Sequence, residues 1–108
     1  MISRRERTEQ MLAETPGDPF LRYVLAMEWS KEGELEKSLE LFRGLMADSP
    51  PYVPAFLMAA QRLHAADRIA EARGVLRDGI EAARRAGDSH AAAEMGDLLA
   101  MLGSAGEG

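Results

Sequence analysis

Lys31–Phe42 reads KEGELEKSLELF. Whether its Gly33 is an isolated helix breaker or one tooth of a repeating pattern decides the fold. Before it, Leu21, Val24, Leu25 and Trp29 recur at helical spacing, and Gly33 stands where a left-handed residue ends a helix. After it, Leu35, Leu39, Phe42, Leu45 and Met46 define one face of a further helix that stops at Asp48-Ser-Pro-Pro.

Working outward, every other segment is also helical. Ser3 is placed to cap a first helix ending near Glu14, before Thr15-Pro-Gly-Asp-Pro. Asp18 followed by Pro19 reads as a cap with proline at the first helical position. Pro54 opens a fourth helix carrying Ala55, Phe56, Ala59, Ala60 and Leu63. A fifth carries Ile69, Ala72, Leu76 and Ile80 and continues to Ala86, since nothing breaks it before Gly87. Asp88 can cap a sixth with Ala91, Ala92, Met95, Leu98, Leu99 and Leu102 in one stripe, and GSAGEG, residues 103–108, reads as a flexible tail. Strand signals are missing, so the chain is expected to be all-α, with short loops joining antiparallel neighbours.

A shift of 34 residues answers the opening question. It sets Gly33 on Asp67, Ala26 on Ala60, Trp29 on Leu63, Leu35 on Ile69 and Phe42 on Leu76. Leu12, Met46 and Ile80 align as a triplet, and Pro16 falls on Pro50. Gly33 is therefore a turn inside a repeat, and aspartate, which tolerates left-handed geometry better than most residues, takes that turn one repeat later. The plain alternative is a helical bundle without a repeat.

These positions resemble the tetratricopeptide repeat, a helix-turn-helix unit of 34 residues. One unit is carried by Arg22, Leu25, Ala26, Trp29, Gly33, Ser38, Phe42 and Pro50. The next is carried by Phe56, Ala59, Ala60, Leu63, Asp67, Ala72, Leu76 and Arg84. The resemblance implies a right-handed α-α superhelix forming a single domain over 1–102. It divides into an N-terminal half-repeat helix (3–15), repeats at 19–52 and 53–86, and a capping helix at 88–102. Trp29, Phe42 and Phe56 are expected to fill the space between successive hairpins. Arg22 stands where the family prefers an aromatic, a place Phe20 or Tyr23 can take. Arg84 replaces the proline, so the fifth helix is expected to overrun. In the sixth helix simple counting would bury Glu94 and Asp97, whereas a slipped register buries Met95, Leu98, Leu99 and Leu102.

Composition sets bounds on function. The 108 residues carry a net charge of −5 with acids and bases interleaved, which opposes nucleic-acid binding. There is no cysteine, so disulfides and thiolate metal sites are excluded. No stretch is long and apolar enough for a membrane span, and MISRRERTEQML has no apolar run behind its arginines, so a cytoplasmic protein is expected. His64 and His90 sit on different helices and form no i, i+4 metal pair, although His64 can pair locally with Asp67. Glu34 and Glu36 read as solvated surface within pairing distance of Lys37 and Arg43. Neither an enzyme nor a cofactor is expected.

The resemblance further implies a concave face lined by the first helix of each unit, at Tyr23, Met27 and Ser30 and then Leu57, Gln61 and His64. The lysine and asparagines with which some members grip a terminal carboxylate are not at these positions. An apolar strip with polar groups at one end remains, suited to a protein or peptide partner of unknown identity. The capping helix covering that strip is a second expectation, and a homodimer through concave or terminal apolar faces is a third.

Overall fold

The chain's structure is a computed structural model describing residues 1–106. Among these residues there are six α-helices and no strand: α1 (Arg4–Glu14), α2 (Pro19–Lys31), α3 (Leu35–Ala47), α4 (Pro54–Ala65), α5 (Ile69–Arg85) and α6 (Ser89–Gly106). The starts follow from local chemistry. Ser3 Oγ accepts from the Glu6 N–H while the Glu6 carboxylate accepts from the Ser3 N–H, a complete capping box. Asp18 accepts from the Leu21 N–H ahead of Pro19, and Asp88 accepts from the Ala91 N–H at 3.0 Å.

Three helices end on one motif. Gly33, Asp67 and Gly87 have φ of 80°, 61° and 73°. At each, the residue's own N–H and that of its successor turn back onto the last helical carbonyls. Glu34 donates to Trp29 O at 2.9 Å, Arg68 to Leu63 O at 2.8 Å and Asp88 to Ala83 O at 2.8 Å. Asp67 thus adopts the left-handed turn that its alignment with Gly33 predicted. α5 overruns to Arg85 as expected from Arg84, and the third motif turns the chain into α6.

The chain divides into two compact units, Met1–Tyr52 and Val53–Gly108, and the division falls between the two expected repeats. In the first unit α2 packs against both α1 and α3. Leu25, Ala26, Ser38, Leu39, Phe42 and Leu45 are buried. Small residues bring α2 and α3 together: Ser38 Oγ donates to the Ala26 carbonyl at 2.7 Å, which satisfies a buried hydroxyl. In the second unit α5 packs against both α4 and α6. Ala59, Ala60, Leu63, Ala72, Leu76, Met95 and Leu102 are buried there. Gly79 lies where these helices meet. A Cβ at that position would stand 2.6 Å from both Met95 Sδ and Phe56 Cβ.

Four expectations are corrected. Trp29 is only half-buried. It is clasped between two cations, with Arg5 of α1 at 4.3 Å and Lys37 of α3 at 4.4 Å from its ring, so it staples three helices of its own unit. Lys37 accordingly serves an aromatic ring, not the neighbouring glutamates. Phe20 is 59% exposed and fills no core. Tyr23 supplies the aromatic instead, while Arg22 pairs with Asp48 at 2.7 Å. Finally, α6 continues through Gly103 to Gly106, where a tail was expected. A glycine costs a helix only about 1 kcal/mol and does not stop one already propagating. The remainder of that expected tail, 107–108, lies outside the described residues.

Candidate functional site

The six groove candidates fall on two helices. Tyr23, Met27 and Ser30 are half-buried and stand at i, i+4 and i+7 on α2, which aligns them on one face. Leu57, Gln61 and His64 repeat that spacing on α4, with Leu57 half-buried and Gln61 and His64 exposed. The two rows belong to different units, and each forms a stripe of its own.

On α2 the stripe is held by aromatic contacts. The Tyr23 ring meets Phe42 edge-on at 6.0 Å and 64°, and meets Tyr52 tilted at 5.5 Å and 53°. Tyr52 is in place because its N–H donates to the Leu45 carbonyl, folding the loop after α3 back over α2. Phe20, Tyr23 and Met27 share this side of the helix at i, i+3 and i+7. Phe20, which with Tyr23 was one of two candidates for the family's aromatic position, belongs to this row. The signal was available: Phe20 lies at i−7 from Met27, whereas the core of α2 is built on Leu25 and Ala26.

On α4, His64 is linked to Asp67 through the backbone, its carbonyl accepting the Asp67 N–H at 3.0 Å, and not by an ion pair. His90 is on α6 and stands 3.4 Å from Glu94. Among the described residues no group of three or more His, Asp or Glu is placed to hold a metal ion, and no helix is long and apolar enough to cross a membrane.

Charge is organised elsewhere. Arg5 donates to both oxygens of Glu32 at 2.9–3.0 Å and to Glu9 at 2.7 Å, while its guanidinium covers Trp29. The Glu32 hydrogen bond, followed by the attraction of both carboxylates, raises its pKa further above the ordinary arginine value. This cluster binds α1 to α2 and lies apart from the row of Phe20, Tyr23, Met27 and Ser30, which carries no charged side chain.

Helix hairpins in a 34-residue phase, with a side-chain stripe on the first helix of each, define a helical-repeat protein whose fold serves protein interaction and is typically non-catalytic. A tetratricopeptide repeat domain protein from Salinibacter ruber is similar to it. The solution structure of that protein is 32% identical, covers 81% of this chain and 88% of its own, and superposes with a TM-score of 0.75. Its crystal structure gives 31% identity, coverage of 81% and 97%, and a TM-score of 0.71. A protein from Bordetella parapertussis, solved in solution, is 26% identical over 96% of this chain and 90% of its own, with a TM-score of 0.79. No protein-family model matches the chain, and no curated protein matches it significantly. The chain belongs to the tetratricopeptide repeat family.

Proposed function

We propose that the protein is a non-catalytic interaction module that receives an extended or helical segment of a partner protein on its first-helix stripes. The observation that carries this reading is the uncharged stripe of α2, where exposed Phe20 continues the row of Tyr23 and Met27. Leu57, Gln61 and His64 offer the second stripe, apolar at one end and polar at the other. Such a surface selects a partner through apolar anchors and few directed hydrogen bonds. Among the described residues no set of metal-holding groups accompanies it, and a net charge of −5 works against a nucleic-acid partner. A cytoplasmic setting accords with the lack of cysteine.

The test is affinity capture with the native protein against a Phe20→Ala/Leu57→Ala variant. These positions are preferred to Tyr23, whose removal would disturb its packing on Phe42 and Tyr52. Loss of specific captured proteins with an unchanged circular dichroism spectrum is the expected outcome. An identical captured set removes the stripes from the account. A second reading, self-association, is favoured by large apolar side chains left exposed on the terminal helices: Met11 on α1 and Met101 on α6.

A further inference from the structure

Of the three helices in Met1–Tyr52, α1 buries the least. Its buried residue is Thr8, whose hydroxyl donates to the Arg4 carbonyl at 2.9 Å, inside α1 itself. Leu12 is half-buried. The grip on α2 comes from Arg5, which donates to both carboxylate oxygens of Glu32 at 2.9–3.0 Å with its guanidinium 4.3 Å from the Trp29 ring. A planar fork on a carboxylate beside an aromatic ring is selective for arginine. It holds weakly where the carboxylate stays wet, and the Glu32 side chain is 39% exposed.

The link from α1 to α2 is Thr15-Pro-Gly-Asp, followed by Pro19. Thr15 and Asp18 each precede a proline, which disfavours helical backbone and favours extended conformations. Asp18 is extended, with φ −64° and ψ 112°. Across the turn the Asp18 N–H donates to the Thr15 carbonyl at 3.0 Å, and nothing lies within 4 Å of where a Cβ at Gly17 would stand. The caps are local: Ser3 pairs with Glu6 inside the start of α1, and Asp18 with Leu21 at the start of α2. Opening the turn leaves both caps intact, and four extended residues reach about 13 Å.

We propose that the α2 face bearing Trp29 and Glu32 is an interaction surface for α1 of a second copy, so that two copies exchange α1 by opening the Thr15–Asp18 turn. The exchange rests on the self-association reading but uses a different surface from Met11 and Met101. The occupant follows from the seat, which is already fitted to α1. Arg5 on Glu32 and Trp29, and the burial of Thr8 and Leu12, re-form unchanged in the exchanged pair. Each copy gives one α1 and receives one, so the pair is closed and takes no third copy. Within one chain the short link holds α1 at an effective concentration on the order of millimolar, which a second copy must match.

Charge reversal in two separate chains tests the exchange. In Arg5→Glu, α1 repels the Glu32 seat; in Glu32→Arg, the seat repels Arg5. Neither chain holds α1 on its own seat or on that of its like. Each alone should therefore keep the 11.8 kDa of one chain in light scattering after size exclusion. In an equimolar mixture the native α1 of one chain meets the native seat of the other, and the two reversed charges also meet. The mixture should reach twice the single-chain mass and no more, at concentrations where the native protein, closed on itself, is still a single chain. A chain carrying both substitutions should close again and behave as the native protein, which shows that neither substitution unfolds the seat. If the mixture stays at the single-chain mass while the native protein dimerises at about 1 mM, the exchange is overturned and self-association through Met11 and Met101 stands. A dimer formed by either variant alone has the same meaning. Single-chain mass in the mixture and in the native protein at that concentration overturns both.

Discussion

Gly74 and Gly79 share one helix, α5, and answer to opposite constraints. At Gly74 nothing stands within 4 Å of an added Cβ, so Gly74→Ala should stabilise the protein by about 0.5–1 kcal/mol through helix propensity alone. At Gly79 the same methyl would meet Met95 Sδ and the Phe56 side chain at 2.6 Å. Overpacking there costs about 1–3 kcal/mol and outweighs the propensity gain, so Gly79→Ala should destabilise. Urea denaturation of the two variants reads both signs, and a stabilised Gly79→Ala would mean the crossing is looser than described. Gly33 belongs to a third class. Its φ of 80° makes Gly33→Ala cost about 1 kcal/mol, whereas at Asp67, already paying for φ 61°, Asp67→Gly should be close to neutral. The turn role of both residues was legible because a repeat doubles the evidence: one glycine is ambiguous, but a glycine and an aspartate 34 residues apart in the same context are not. Gly79 was not legible. Its role depends on how near Phe56 and Met95 come, and no spacing within α5 encodes that distance.

Among elements, α1 is held differently from the rest. Its buried residue is Thr8, a polar one, and its apolar Leu12 is only half-buried. Docking rests on Arg5, which joins Glu32, Glu9 and the face of Trp29. Such a contact weakens as salt screens it, unlike an apolar one. Arg5→Met should therefore speed hydrogen exchange of the α1 amides while leaving those of α2 and α3 protected, and high salt should move the native protein the same way. Equal protection of α1 in variant and native protein would assign its docking to Leu12 instead. Trp29→Ala should cost about 2 kcal/mol in urea denaturation, less than the roughly 3–5 kcal/mol of a fully buried aromatic, because the ring is half-exposed. The helix start adds a pH dependence of known sign. The Ser3 N–H, and then its hydroxyl, hold the Glu6 pKa below its ordinary 4.5. Folding thus favours ionised Glu6: the benefit is complete above that ordinary value and is lost as pH falls through the lowered one. Fraying of the Ser3–Glu6 amides in an NMR acid titration should show it, and Glu6→Gln should flatten the response. Ser3, Asp18 and Asp88 were readable as caps because a cap acts over three residues. The Trp29 clasp was not, because its partners Arg5 and Lys37 come from two other helices.

For the molecule as a whole, the two compact units raise the question of how far a local loss of packing spreads. In a repeat protein, stability is a sum of unit terms and nearest-neighbour terms, so damage to one core need not unfold the next. Phe42 is fully buried in Met1–Tyr52, and Leu76 is fully buried in Val53–Gly108. Phe42→Ala should remove about 3–5 kcal/mol and Leu76→Ala about 2–5 kcal/mol, each creating a cavity in its own unit. If the units are energetically distinct, Phe42→Ala strips hydrogen-exchange protection from Leu39 and Leu45 more than from Ala60 and Ala72, and Leu76→Ala does the reverse. Matching losses across both units in either variant would mean that the two repeats open as one cooperative block. Under that outcome the 34-residue period would describe the chain's geometry but not its energetics.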